Sequence, residues 1–412
     1  MRVATLQSFN SGLNSILDNQ SSVNKTQQQV SSGRRVLTPA DDPIASTKIL
    51  QLQQDIAQRD QYDRNMTAAE NRLKLEEATL SSITDNLTRL QELTVNAGGG
   101  TLTQTDRQAI GSEINQLEKS LASLFNTRDP NGEFIFAGFK GKNPPFEQQA
   151  NGRYAYKGDE GQRFLSIGDT TNVATGDSGK SLFIDVRAAK NTFTTQINPL
   201  NTGDAQVNAG FVVDEEAYAD FYPDDIIITF NQESAISPPG PNYTARRASD
   251  NHVIEGKVNV GYTGSKDIVV AGVSMTVYGN PEPGDEVLAK STPKQSITDT
   301  VFRLRQGLDS LEDNPEDSAT LDILIEDTLT NLAFAQSSIS EVRSQVGARL
   351  NVIDNTRNLS DDVKLVSQAV LSELSDVDFA EAVSRLSLQT FLLEAAQQSY
   401  TTISRLSLFN QL

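Results

Sequence analysis

Both ends of this 412-residue chain carry an apolar stripe at helical spacing, and few folds accommodate that. From Asp378 the sequence reads DFAEAVSRLSLQTFLLEAAQQSYTTISRLSLFNQL; Phe379, Ala382, Leu386, Gln389, Leu393, Ala396, Tyr400 and Ile403 stand alternately three and four apart. That is a heptad seam along one edge of a helix. At the other end Leu6, Phe9, Leu13, Ile16, Gln20, Val23, Gln27 and Val30 form a second seam. Neither helix has a core of its own, so each needs the other or a neighbour.

A solvated coiled coil carries Glu and Lys beside its seam. Here the flanks are Ser, Gln, Thr and Asn, and Leu388, Leu392, Leu406, Leu408 and Phe409 lie off the seam. A second apolar face between uncharged polar residues suits a helix touched by partners on several sides. The alternative is an ordinary two-helix closure of one domain. A membrane-surface helix fits less well, because the polar face lacks the Lys and Arg that bind anionic lipid. No run approaches the roughly 18 apolar residues of a membrane span, so membrane insertion is not expected.

Proline and tyrosine divide the rest. No Pro precedes Pro39 or follows Pro315, and most fall between Pro130 and Pro293, where Tyr is also concentrated. The order is helix-rich, strand-rich, helix-rich, as expected when one domain is inserted into another. The expected fold is α+β: a long antiparallel α-helical coiled coil or bundle made by the N- and C-terminal segments, with an inserted all-β centre like a sandwich or barrel. The expected divisions are 1–37 with 366–412, 38–140 with 292–365, and 141–291.

The first helix is expected from Thr5 to Ser32, ended by Gly33. Gly12 costs about 1 kcal/mol against Ala inside it. Asp42 and Pro43 start a helix that runs to about Asn96, on the order of 80 Å long, ended by Gly98, Gly99 and Gly100. A third starts at Thr105 with Gln108 completing a capping box, and Ile110, Ile114, Leu117, Leu121 and Leu124 form its buried edge. DPNGEFIFAGF follows as a turn and short hairpin strand. Strands are expected at RYAYKGDEGQRFLSIGD, SLFIDVR, DDIIITF, HVIEGKVNVGY and IVVAGVSMTVYG. Helix resumes at Thr292, capped with Gln295, and its stripe is Ile297, Val301, Leu304, Leu308 and Leu311. A further helix spans Ser318 to about Arg357, with a kink at Asn358–Ser360.

The net charge of −19 argues against nucleic acid, whose phosphates would be repelled. The absence of Cys removes disulfide and thiolate chemistry. The N-terminus lacks the apolar core and cleavage site of a secretory leader, so either a cytoplasmic location or export without a cleaved leader is expected.

Four stretches in this order resemble the flagellin superfamily: SSGRRVLTPADDP (31–43), DRQAIGSEINQLEKSLASLFNTRDPNGEFIFAG (106–138), EVRSQVGARLNVID (341–354) and the C-terminal seam. Within it, YKGDEGQRFLSIGD with Gly176, Gly179 and Phe183 is similar to the middle domain of the hook-associated members that form the hook-filament junction. Pro43 after Asp42, and the ending Leu-Phe-Asn-Gln-Leu, depart from filament subunits. The resemblance implies a non-catalytic building block without cofactors, exported unfolded through the flagellar type III channel. Its implied partners are hook-associated protein 1, flagellin, further copies of itself in a ring, and a flagellar export chaperone. It also implies terminal helices that order only on assembly, through Leu6, Phe9, Leu13, Ile16, Val23, Val30, Phe379, Leu386, Leu393, Tyr400 and Ile403. A filament subunit is the nearest alternative; a glycosidase on a coiled-coil stalk and a phage- or adhesin-like fibre are further ones.

Enzymatic signatures are weak. His252 is the one histidine, which excludes a His-Glu-X-X-His zinc site. No Gly-X-Ser-X-Gly elbow accompanies it. The pairs Asp41-Asp42 and Asp224-Asp225 read as caps and turns rather than acid/base couples. GDEGQ and TGDSG lack the twelve-residue calcium-loop pattern, and Gly98–Gly100 do not follow a strand as a phosphate loop does.

Overall fold

A computed structural model of the chain describes residues 2–99, 102–262 and 267–409. In chain order the helices and strands are α1 (Arg2–Ser32), α2 (Pro43–Ala97), α3 (Gln104–Phe125), β1 (Phe146–Gln148), β2 (Tyr154–Tyr156), β3 (Phe164–Ser166), β4 (Asn172–Ala174), β5 (Arg187–Ile197), β6 (Gln206–Val207), β7 (Phe211–Val212), α4 (Glu215–Phe221), β8 (Ile226–Phe230), β9 (Asn242–Arg247), β10 (Val260–Gly261), β11 (Asp267–Val270), β12 (Val273–Tyr278), β13 (Glu286–Lys294), α5 (Ile297–Ser310), α6 (Pro315–Ser375) and α7 (Phe379–Phe409). Helical ends with an inserted antiparallel β centre are the fold class the residue patterns predict. The chain forms two compact units, residues 1–65 with 354–412, and residues 66–353; α2 and α6 contribute to both.

In the first unit α1 pairs with α7. Gly33 ends α1 with φ at +70°, a left-handed conformation open to Gly without strain. The loop that follows is closed by Asp41, whose Oδ2 accepts the N–H groups of Leu37 and Thr38 at 3.1 and 2.9 Å. Asp42 Oδ1 accepts the Ala45 N–H at 2.9 Å, so Asp42 caps α2 and Pro43 takes the first helical position.

The second unit holds two apolar clusters. One joins α2, α3, α5 and α6: Leu80, Ile83, Leu87 and Leu90 meet Ile114, Leu121 and Phe125, then Val301, Leu304, Leu308, Leu332 and Ile339. A π-helical turn at Lys180–Ile184 inserts Leu182 and Phe183 into it. Phe183 stacks on Phe125 with ring centroids 4.2 Å apart and meets the edge of Phe136 at 5.0 Å. The other cluster lies in the β part, between a five-stranded sheet ordered β10-β9-β8-β13-β5 and the sheet of β11, β12, β6 and β7. Strand β8 alternates Ile226, Ile228 and Phe230 inward with Ile227 and Thr229 outward, at the period of two expected of a half-buried strand.

The β part begins and ends on paired strands, with Arg187 on β5 opposite Lys294 on β13. Arg303 of α5, only 6% exposed, holds it to the helices. Its Nη1 donates to Thr192 Oγ1 and Gln295 Oε1 at 2.7 and 2.8 Å, and its Nη2 to the carbonyls of Phe193 and Ala209 at 2.6 and 3.2 Å. Arg153 adds a bond to Asp299 at 2.8 Å and one to Thr195 Oγ1 at 2.7 Å.

Several boundaries differ from expectation. Helix α3 is capped two residues earlier, by Thr103 with Asp106 rather than by Thr105 with Gln108. The SLFI of SLFIDVR is a π turn, while β5 and β9 occupy RAAKNTFTTQI and NYTARR, which lack clean apolar alternation. Strand β13 continues through Thr292 to Lys294, with Pro293 at a register shift where no ladder N–H is needed. The helix expected at Thr292 therefore starts after Ser296, whose hydroxyl accepts the Asp299 N–H at 2.9 Å. Helix α6 passes Asn358–Ser360 unbroken to Ser375. Asp378 starts α7 by accepting the N–H groups of Ala380 and Glu381 at 2.9 and 3.1 Å. Of the three glycines expected to end α2, Gly100 lies outside the described residues.

The acidic motifs have local duties. Asp159 of GDEGQ accepts the N–H groups of Phe139 and Gly161 at 2.8 Å each, which outweighs partial burial and holds its pKa below the usual range. Asp224 pairs with Arg247 at 3.3 Å, and Asp225 accepts the Ser291 N–H at 2.8 Å.

Candidate assembly surface

The α1–α7 pair forms because each helix offers a heptad-spaced edge. On α7 the inward residues are Ala382, Leu386, Gln389, Leu393, Ala396 and Tyr400, with Ala382 and Leu393 buried and the rest half-buried. On α1 and at its end they are Gly12, Ile16, Asn19, Val23, Thr26, Gln29, Val30 and Gly33. One column of α1, Ile16, Val23 and Val30, lies where the apolar period predicts. The other is Gly12, Asn19, Thr26 and Gly33, one residue before Leu13, Gln20 and Gln27; Leu13 is 41% exposed.

Small residues on α1 face large ones on α7. A Cβ on Gly12 would stand 3.3 Å from Tyr400 Cδ2, and one on Gly33 would stand 3.9 Å from the tip of Phe379. The two glycines are three heptads apart, as are the two aromatics. That reciprocal spacing is the signal that could have located the second column. Gly12, a cost to the isolated helix, makes room for the ring. Phe379 otherwise remains 56% exposed.

Polar groups fix the register between the apolar steps. Thr26 donates to Gln389 Oε1 at 2.7 Å, and Arg385 donates to Gln29 Oε1 at 3.1 Å. At the Gly33 end the backbones join directly: Arg35 N–H to Ser375 O at 2.7 Å and Val377 N–H to Gly33 O at 2.9 Å. Lys25 meets Asp41 Oδ1 at 2.6 Å. That bond, with the N–H groups of Thr38 and Leu37, holds the Asp41 carboxyl down at about 2.

Pairing leaves a second apolar face uncovered within the chain. Leu388, Phe391 and Leu392 follow one another at i, i+3 and i+4 on α7 and are 59%, 66% and 47% exposed. Val383 on α7 and Leu13 and Leu17 on α1 are exposed as well. Fully burying a Leu or Phe side chain is worth about 1.5–3 kcal/mol, so this face is a substantial reserve for association. The seam thus brings together Ile16, Val23, Val30, Leu386, Leu393 and Tyr400, and leaves Leu13 and most of Phe379 outside. Leu6, Phe9, Ile403, Leu406, Leu408 and Phe409 lie outside the residues whose side chains are described. Among the described residues no group of His, Cys, Asp or Glu is arranged to hold a metal ion, and no helix is long and apolar enough to cross a membrane.

Comparison with known proteins places similarity on both helical ends. The family profile for the bacterial flagellin N-terminal helical region matches residues 3–140, and that for the C-terminal helical region matches residues 329–412. The flagellar hook-associated protein 3 of Salmonella typhimurium is 24% identical over 99% of both chains, and that of Escherichia coli 25% identical over 99% of both. A flagellar filament 41 kDa core protein from Borreliella burgdorferi is 33% identical, over 27% of this chain and 31% of its own. Among solved structures, flagellar hook-associated protein-3 from Legionella pneumophila aligns with a TM-score of 0.54 and 28% identity, covering 79% of this chain and 98% of that one. FlgL from Xanthomonas campestris aligns with a TM-score of 0.51 and 26% identity, covering 78% and 99%.

Proposed function

We propose that this chain, which belongs to the flagellin family and is a non-enzymatic structural component of the bacterial flagellum, joins the hook to the filament. One observation carries the reading: similarity to hook-associated relatives covers 99% of the chain, while the filament protein matches only 27% of it. A Legionella pneumophila relative of known structure, 27% identical, is itself described as a flagellar junction protein. In this reading the chain meets hook-associated protein 1 on one side, flagellin on the other and its own copies around a ring. It reaches that place through the flagellar export channel, escorted by a chaperone.

The parts divide the work. The terminal segments, 1–37 with 366–412, supply the assembly helices; 38–140 with 292–365 form a helical spoke, whose core also takes Phe146, Leu182, Phe183 and Val186; the rest of 141–291 forms a β domain. The uncovered face at Leu388, Phe391 and Leu392 supports this, because a finished monomer gains nothing from three exposed large apolar side chains on one helix. Leu6, Phe9, Leu13, Ile16, Val23, Val30, Phe379, Leu386, Leu393, Tyr400 and Ile403 make the assembly contacts, some within the pair and some with neighbours.

Seeded growth tests the proposal. Purified protein added to isolated hooks that carry hook-associated protein 1 should bind in a limited number of copies, remain short alone, and allow added flagellin to grow from it. Long filaments grown from this chain alone would replace the junction reading with that of a filament subunit.

A further inference from the structure

In the second unit, Glu76 of α2 sits at the centre of a charge cluster and is only 1% exposed. Its Oε1 accepts the Asp177 N–H at 3.0 Å, while Oε2 has no hydrogen-bond partner. The loop backbone lies directly over it: a Cβ on Gly176 would stand 3.8 Å from Oε2. Two guanidinium groups stand close, and their Nη groups are engaged elsewhere, while the buried Arg72 Nε has no hydrogen-bond partner. Arg349 of α6 gives Nη1 and Nη2 to the Asp177 carboxylate at 2.7 and 3.0 Å. Arg72, one turn before Glu76, binds Asp129 at 2.9 Å and reaches Glu133 at 3.7 Å; Arg163 also binds Glu133.

The charges around Glu76 are therefore Arg72 on its own helix, Asp177 on the loop and Arg349 on α6, with Asp129, Glu133 and Arg163 beyond them. Three cations balance three carboxylates before Glu76 is counted. An ionised Glu76 would be a fourth negative charge, the most deeply buried of them, which Arg72 and Arg349, already bound to other carboxylates, offset only in part; a low-dielectric site penalises it. Burial first, and the Asp177 carboxylate second, push its pKa up to about 8.

The loop under which Glu76 lies leads into the π turn that delivers Leu182 and Phe183 to the helical core. We propose that Glu76 is a proton-operated clasp: the loop at 175–178 is held on α2 and α6 while this carboxyl keeps its proton, and opening the loop releases that proton. The neutral carboxyl tolerates the neighbouring Asp177; once the loop lifts, water solvates the group and it ionises.

The sign follows from proton linkage. In the open state Glu76 titrates near its ordinary value of 4.5, and in the closed state near 8. The open fraction should rise about tenfold per pH unit between those values and level off above the upper one. Hydrogen–deuterium exchange of the full-length chain from pH 5.5 to 9.5 reads this in peptides covering 175–183. Dividing each rate by that of Glu76→Gln at the same pH cancels the intrinsic chemistry of exchange. The expected ratio climbs with pH and levels near 8, while peptides of β8 stay flat. A flat ratio over 175–183, or an equal climb in β8, overturns the clasp. Should Glu76→Gln fail to fold, Asp177→Asn decides: removing the adjacent charge should move the levelling point of the loop, measured against β8, to lower pH. An unmoved point overturns the proposal.

Discussion

Replacing Arg303 with Met tests how the β part is held to the helices. The Met stem fills most of the space of the Arg stem, so the change removes the guanidinium and little else. Lost are two bonds to Thr192 Oγ1 and Gln295 Oε1, two to the carbonyls of Phe193 and Ala209, and the stacking of the cation 4.9 Å over the Phe193 ring. Burial lowers the pKa of Arg303 to about 10, so it remains a cation at neutral pH. Each hydrogen bond to a charged group is worth about 1.5–3 kcal/mol. Against that stands the cost of keeping a cation out of water, several kcal/mol. The acceptors decide the balance, because two are backbone carbonyls that the variant leaves behind without this donor. A net loss of about 3–5 kcal/mol is expected, the range for breaking a buried charged contact by removing one partner. Tyrosine fluorescence weights the β part, since the chain has no Trp and Tyr218, Tyr222, Tyr243 and Tyr262, four of its nine Tyr, lie in or against that core, while Tyr154 and Tyr156 report the helical one. At a slope of about 1–3 kcal/mol per M, the tyrosine transition in urea should fall by at least roughly 1 M. Arg303→Lys, with one point charge in place of a planar fork, should fall between. A shift of less than about 0.3 M for Arg303→Met would show that the guanidinium costs as much as it contributes, and would refute the clamp.

Other perturbations follow from the same geometry. Joining Arg187 to Lys294 through an Asn-Gly turn, with 188–293 removed, should leave a cooperatively melting helical core by circular dichroism. Removing 146–290 should instead collapse it, because Phe146, Leu182, Phe183 and Val186 belong to that core; equal melts for the two excisions would count against the division. Leu393→Asp places a carboxylate at a position only 8% exposed and should abolish swimming while the second unit keeps its melting transition; normal swarm diameters would remove α7 from assembly. Asp41 has a depressed pKa, so its contribution is present above its ordinary value of 3.8 and is lost as pH falls through about 2. Thermal melts of the wild type and Asp41→Asn should therefore converge in strong acid, and parallel curves would contradict the role of Lys25.

The helical frame was legible because its signals are local. Apolar period, a proline-free run and capping residues survive in any context, so α1 and α2 stand close to where those marks put them. The strands β5 and β9 were not. Their residues are held by partners far away in sequence, such as Arg303 against Thr192 and Phe193, and their own pattern shows no alternation. Thr292-Pro293-Lys294-Gln295 has the form of a helix start, yet sheet pairing with Thr192 and Arg187 wins over that local preference. In the seam, Ile16, Val23 and Val30 announce themselves by hydrophobicity. Gly12 and Thr26 do not, since their value lies in being small opposite Tyr400 or able to bond Gln389. The Glu76 cluster was hidden for a similar reason: its members come from five separate stretches and meet only after folding.

The pairing of Arg187 with Lys294 bears on how such chains diversify. A module whose two ends emerge side by side leaves its host through a two-stranded stem, and here Arg303 and Arg153 add side-chain bonds beside that stem. The residues between can be lengthened, shortened or exchanged for an unrelated domain without rerouting α5 or the π turn. Relatives are therefore free to differ most in this outer portion, and the same stem is a ready socket for displaying a foreign fold.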